Sequence, residues 1–223
     1  MRPTFFGTIA GDGAAPVTPI SPIAHVAVGM TGVSGATSSA IDTTGATFIV
    51  IAQSGVVAST FPPTDSKSNT WTPLTEYAGG SLSVQLYYCS NPTVGTGHTF
   101  TVVAGIAASI AVAAFDQTLD AAPESAGGAG SASATTQQPG LLTPLTDNCL
   151  IVTGFEYVSA TEPGPATISA GFTILENIGN ASTSVPVALA YQVQTTATAV
   201  NPTWSSNAAA ERVAAAMAVI KHL

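Results

Sequence analysis

The sequence predicts an all-β fold, a jelly-roll-like antiparallel β-sandwich of about ten strands made from two similar five-strand halves. Three observations lead there. Apolar side chains recur with a period of two, five strand signals return in the same order about a hundred residues later, and breaker-rich stretches separate the runs.

The alternation is clearest in Leu82–Tyr88, where Leu82, Val84, Leu86 and Tyr88 share one face, as a half-buried strand requires. Later, Val185, Val187, Leu189, Tyr191 and Val193 repeat the pattern, with Ala188, Ala190, Gln192 and Gln194 facing the other way. Comparing the two exposes the repeat. Val84, Leu86 and Tyr88 match Val187, Leu189 and Tyr191 at a shift of 103, and Phe48 and Val50 match Leu150 and Val152 at 102. Trp71 falls on Phe172 at 101, Phe100 on Trp204 at 104, and Val112–Phe115 on Met217–Ile220 at 105. One match between alternating strands carries little weight, but five in order identify a duplicated unit.

The predicted organisation is an extended N-terminal arm over residues 1–24, with Pro16, Pro19 and Pro22 among small residues, followed by a single sandwich over 25–223. The half-units are 25–120 and 141–223, joined by a Gly/Ala/Ser-rich surface loop at 121–140. A single sandwich is favoured over two separate domains because each half alone would have a thin core. One segment conflicts with this scheme. Asn207–Met217 is rich in strong helix formers, but the repeat places a strand from about Val213, leaving room for a helical turn before it.

Composition narrows the function. Hydrophobic residues make up 46% and charged residues 7% of the chain, against a charged share of roughly 25% in ordinary soluble domains. A surface built from Ser, Thr, Gly, Ala and Asn suits lasting burial against neighbouring subunits. With only Arg2, Lys67, Arg212 and Lys221 as strong bases and a net charge of −8, direct nucleic-acid binding is not expected. The opening Met1–Gly7 lacks the pattern of a secretory signal, so synthesis in a cytoplasm is expected. Apolar runs such as Ala104–Phe115 are shorter than the ~20 residues of a membrane-spanning helix. Cys89 and Cys149 sit in apolar runs, and two reduced thiols are favoured over a disulfide between them.

The search for chemistry returns little. His25, His98 and His222 are far apart and lack metal-ligand spacing, and His98, in Gly95–Thr99, reads as a residue that hydrogen-bonds its turn. Gly32–Gly35 falls one residue short of a nucleophile elbow. Glu156, Glu162 and Glu176 are the nearest approach to a glycosidase pair, but Glu162 lies in a Pro/Gly loop and Glu176 reads as facing solvent. Asp65–Glu76 resembles a calcium loop at three positions but carries Lys67 and Thr70 where an acid and a glycine are needed, so Asp65–Asn69 reads as a polar hairpin turn. Trp71 and Trp204 take repeat positions held by Phe172 and Phe100, which makes them core anchors. No catalytic, cofactor-binding or metal residue is therefore assigned, and no cofactor is expected.

Asp65–Leu74, Leu86–Pro92 and Gly97–Thr101, together with Gly171–Thr173, Ala190–Val193 and Asn201–Trp204, resemble β-sandwich structural proteins of tailed bacteriophages and prophages. The resemblance covers roughly residues 40 to 221 and rests on turn and core patterns. It implies a non-enzymatic virion protein, made in the host cytoplasm and carried in the particle. A capsid decoration or cement protein is the leading expectation, a homo-oligomer held by contacts with the major capsid protein or neighbouring copies. The alternative is a tail or fibre adhesin binding a host receptor or glycan through loops such as Gly11–Pro22, Ser54–Lys67 and Glu156–Pro165.

Overall fold

The computed structural model describes residues 18–30, 35–57, 62–103, 108–117, 119–158, 165–169, 171–178, 185–206 and 211–223. Among the described residues the chain forms strands and no helix. The first half supplies β1 (Pro22–Gly29), β2 (Ala36–Thr37), β3 (Phe48–Val56), β4 (Thr64–Asp65), β5 (Thr72–Pro73), β6 (Tyr77–Gly79), β7 (Leu82–Ser90), β8 (Phe100–Val102) and β9 (Ala108–Phe115). The second supplies β10 (Ser125–Ala134), β11 (Thr136–Gln137), β12 (Cys149–Tyr157), β13 (Thr167–Ile168), β14 (Thr173–Ile178), β15 (Val187–Gln194), β16 (Trp204–Ser205) and β17 (Glu211–Lys221).

The two halves have one topology. In the first, a large sheet runs β1-β9-β3-β7-β5, with β6 also pairing β7, and a small sheet runs β2-β8-β4. In the second, the large sheet runs β10-β17-β12-β15-β14 and the small one β11-β16-β13. Every pairing is antiparallel. Strand for strand the orders coincide, β14 taking the place of β5 and β6 together.

Alternation along each strand decides what is packed where, because successive side chains leave opposite faces. On β3, Phe48, Val50 and Ala52 enter a layer shared with Leu150 and Val152 of β12, Val187 and Leu189 of β15, and Ala214, Ala216 and Ala218 of β17. Ile49 and Ile51 point the other way and pack with Tyr87, Phe100, Val102, Ile110 and Val112 beneath the first small sheet. Phe155, Tyr157, Ala188 and Val213 do the same around Trp204 beneath the second. The molecule is therefore four layers deep, small sheet, large sheet, large sheet, small sheet, and the central apolar layer belongs to both halves. Small residues line that centre. A Cβ on Gly154 would lie 2.8 Å from the Ala52 Cβ, so the two large sheets meet more closely there than any side chain permits.

Several boundaries differ from the sequence reading. The halves are not five-stranded, since each adds a small sheet built from two- and three-residue strands too short to leave a periodic signal. β1 begins at Pro22 rather than 25, and most of the expected arm lies outside the described residues. The stretch 121–140 is no surface loop. It contains β10, which pairs with β17 from Ser125 opposite Val219 to Ser131 opposite Val213, and it contains β11. Two of its glycines, Gly128 and Gly130, are required by contact. A Cβ on Gly130 would stand 2.2 Å from the Ala78 carbonyl oxygen, and one on Gly128 at 2.2 Å from the Tyr77 ring. β17 starts at Glu211, two residues earlier than expected, and residues 207–210, where a helical turn was allowed, lie outside the described set.

Candidate functional site

Three groups of polar side chains merit inspection as sites, beginning with the turn that follows β4. Asp65 accepts hydrogen bonds from the Lys67 backbone N–H at 2.7 Å and from Trp71 Nε1 at 2.9 Å, and longer ones from the backbone and side-chain N–H groups of Asn69. These bonds form the polar hairpin turn read from the sequence, with Ser68 at a φ of 61°. The carboxylate is turned inward onto its own turn and the tryptophan, not outward as a calcium loop requires. His98 Nε2 lies 3.2 Å from Asp65 Oδ1, within ion-pair distance but off the line of a hydrogen bond, and its Nδ1 is 2.9 Å from Thr43 Oγ1.

Thr43, His98 and Asp65 thus stand in the order of a hydroxyl–imidazole–carboxylate relay. Their burial changes what that order can do. Thr43 and His98 have no exposed surface, and Phe100 stacks on the imidazole at 4.3 Å. Thr43 Oγ1 also accepts from the Gly95 N–H at 3.1 Å. Burial holds the imidazole below its ordinary pKa, against the pull of Asp65. Thr43 bridges the His98 ring and the Gly95 N–H, so the imidazole reaches its own turn through Thr43 and not by the direct hydrogen bond expected of it.

The second group is the acids. Glu156 is not in a loop. It lies on β12, fully buried, with Val187 and Ala214 opposite it on the neighbouring strands. Neither carboxyl oxygen has a hydrogen-bond partner among the described residues. Desolvation pushes its pKa well above the carboxylate range, and the Arg212 charge opposes that shift only in part. Its repeat equivalent is Ser54, on β3 rather than in a loop, whose hydroxyl donates to the Val185 carbonyl at 3.0 Å. Glu176 is on β14, where Oε1 meets His25 Nδ1 at 2.7 Å and so joins the two halves. Glu162 lies outside the described residues. Glu156 and Glu176 do not face a common cleft, so the pair drawn from the sequence is not assembled by them. Both thiols are free, and burial raises the pKa of each, which keeps them protonated and poorly nucleophilic.

The third group is a pair of shallow clefts of about 420 and 300 Å³. The first is bordered by Asn69, Thr72, Tyr88 and Asn91, the second by Ser169, Phe172, Gln192 and Asn201. Both lie between the turn preceding the strand at Thr72 or Thr173 and the end of β7 or β15. They are therefore repeat equivalents, lined without a charged side chain. Asn69 holds one wall in place, donating to the Thr93 carbonyl at 3.0 Å and accepting from its N–H at 2.7 Å.

Both tryptophans are core anchors. Trp204 has no exposed surface, stacks on Phe155 at 5.2 Å and donates its Nε1–H to Thr153 Oγ1 at 3.0 Å, which donates on to the Ala216 carbonyl at 2.9 Å. Trp71 packs against Phe100 at 6.1 Å. Among the described residues, no three His, Cys, Asp or Glu side chains gather as metal ligands, and no helix is long and apolar enough to cross a membrane. Compared with known protein families, with curated proteins and with solved structures, the chain matches none.

Proposed function

We propose that this protein is a non-enzymatic structural component of a bacteriophage particle, of the capsid decoration or cement type. The observation that carries the reading is how the polar chemistry is spent. The histidine–carboxylate relay is sealed in the first half, Glu156 is sealed in the central layer, and the thiols are held protonated. The side chains left at the surface are overwhelmingly uncharged, in a chain with 7% charged residues. Such a surface supports the reading because it can be buried against other subunits without stripping water from charges. The path of the chain is in keeping with it. In each half the strands pass back and forth between large and small sheets, so that the first and last strands become neighbours, and we read this as a jelly-roll winding. The chain would stabilise a shell by bridging its subunits, adding buried area without catalysis.

A tail or fibre adhesin is the second reading, favoured by the two uncharged, repeat-equivalent clefts, which suit hydroxyl-rich ligands. Binding separates the two. Tight association of the purified chain with particles or capsids lacking it, together with no signal on a glycan array, is the outcome expected here. Glycan binding without capsid association would replace the first reading by the second.

A further inference from the structure

Large antiparallel sheets end in strands whose outward N–H and C=O groups lack partners, and such edges pair with other chains unless something blocks them. The two large sheets present four edges. On the first sheet, β1 begins with Pro22, is bulged between Pro22 and Ala24, and carries His25. The opposite edge consists of β5, two residues ending in Pro73, and the three-residue β6. β14 on the second sheet carries Glu176 and is bulged between Ile174 and Glu176. β10 carries no proline and no charged residue, and although its register shifts between Ser131 and Ala134, the seven residues Ser125–Ser131 pair in unbroken register with β17.

Three further facts make β10 a built edge and not a loose one. Both its faces are covered, since Tyr77 fills the space above Gly128, the Ala78 carbonyl that above Gly130, and Leu142 that above Gly127. No residue of the strand is buried, so its outer edge meets solvent. Among the described residues, no strand or isolated bridge pairs with that edge. What remains open is a row of backbone donors and acceptors flanked by Ser, Ala and Gly.

We infer that the outer edge of β10 pairs with the same strand of a second copy, antiparallel about a twofold axis at Gly128, joining the two second-half sheets into one. The inference deepens the particle-component reading and rests on it. An antiparallel pair requires residues of like phase to face each other. Centred on Gly128, Ser125 falls opposite Ser131, Ala126 opposite Gly130 and Gly127 opposite Ala129, so no bulky side chain obstructs the approach. Charge is also accommodated, although the chain carries −8 overall. Glu124, just before the strand, is bonded to the Leu145 N–H at 2.8 Å. The twofold sets the two Glu124 residues at opposite ends of the ladder, about 27 Å apart, where screening makes their repulsion small. Because the contact is isologous it closes at two copies and leaves the other faces free for a shell.

The test is native mass spectrometry with amide hydrogen exchange on the full chain, alongside Ala126→Lys, which places a charge at an exposed position of the edge strand, before the part of that face that Tyr77 and Ala78 cover. The expected result is a two-chain mass for the wild type, with exchange at Ser125–Ser131 slowing as concentration rises. Ala126→Lys should give a single-chain mass, with circular dichroism and melting temperature unchanged. A wild type that stays single at every soluble concentration overturns the pairing. So does a dimer that survives Ala126→Lys without protection at β10, and so do open-ended polymers. A single chain that nevertheless resides in particles sinks this pairing alone, whereas absence from particles sinks the reading beneath it.

Discussion

Thr153 shows how much a single hydroxyl carries. It receives the Trp204 indole N–H and passes a hydrogen to the Ala216 carbonyl, both fully buried. Thr153→Val keeps the shape and strands the indole donor, so we expect a loss of about 1–3 kcal/mol in urea unfolding. Glu156 gives the opposite sign. Its folded-state pKa lies above the unfolded value near 4.5 because burial disfavours the charge. The folded state therefore holds a proton that the unfolded state releases, and stability is greatest below 4.5 and falls as pH rises toward the elevated folded value. Glu156→Gln removes the ionisation, so it should gain on the order of 1 kcal/mol or more over wild type at pH 8 and little at pH 4. Denaturation curves at the two pH values check this; an equal effect at both would show that the carboxyl is not held neutral. Continued past Val152, the alternation of β12 puts Glu156 on the apolar face with Leu150, although the sequence reading began a loop there. A carboxylate is assigned to solvent by habit, and only the sheet above it reveals the burial.

At the scale of elements, what was legible depended on length. β3, β7, β9, β12, β15 and β17 are long enough to show their period, and the repeat correctly overrode the helical propensity of the alanines before Met217. Those alanines fit because the facing sheet is close, which is a tertiary fact. β10 was missed for the same reason. Serine and glycine mark a loop when nothing touches them, whereas here glycine marks backbone lying against backbone. Gly130→Ala should therefore cost about 1–3 kcal/mol or more, since its Cβ would overlap the Ala78 carbonyl. Gly127→Ala, whose Cβ would meet the flexible Leu142 Cδ2 at 3.3 Å and the Pro139 carbonyl oxygen at an ordinary 3.5 Å, should stay within about 1 kcal/mol of wild type. Thermal melts of the two variants make the comparison, and equal losses would mean that β6 does not rest on β10. The relay at His98 was half legible: the Asp65 turn could be read locally, but its meeting with a histidine 33 residues later could not.

For the whole molecule, duplication was the strongest signal, and it separates what the fold repeats from what one half holds alone. The clefts recur in both halves because they follow from the fold, whereas the relay and Glu156 occur once each. The central layer draws Phe48, Val50 and Leu86 from one half and Leu150, Val152 and Leu189 from the other. Neither half should fold alone, and residues 18–120 expressed by themselves should show no cooperative unfolding transition in circular dichroism. The function proposed at this scale is assembly, and its most direct measurement is quantitative mass spectrometry of purified particles of the phage proposed to carry this gene. The account predicts the chain in the particles at a fixed, high copy number relative to the major capsid protein. Particles that are complete and infectious without it would contradict the account.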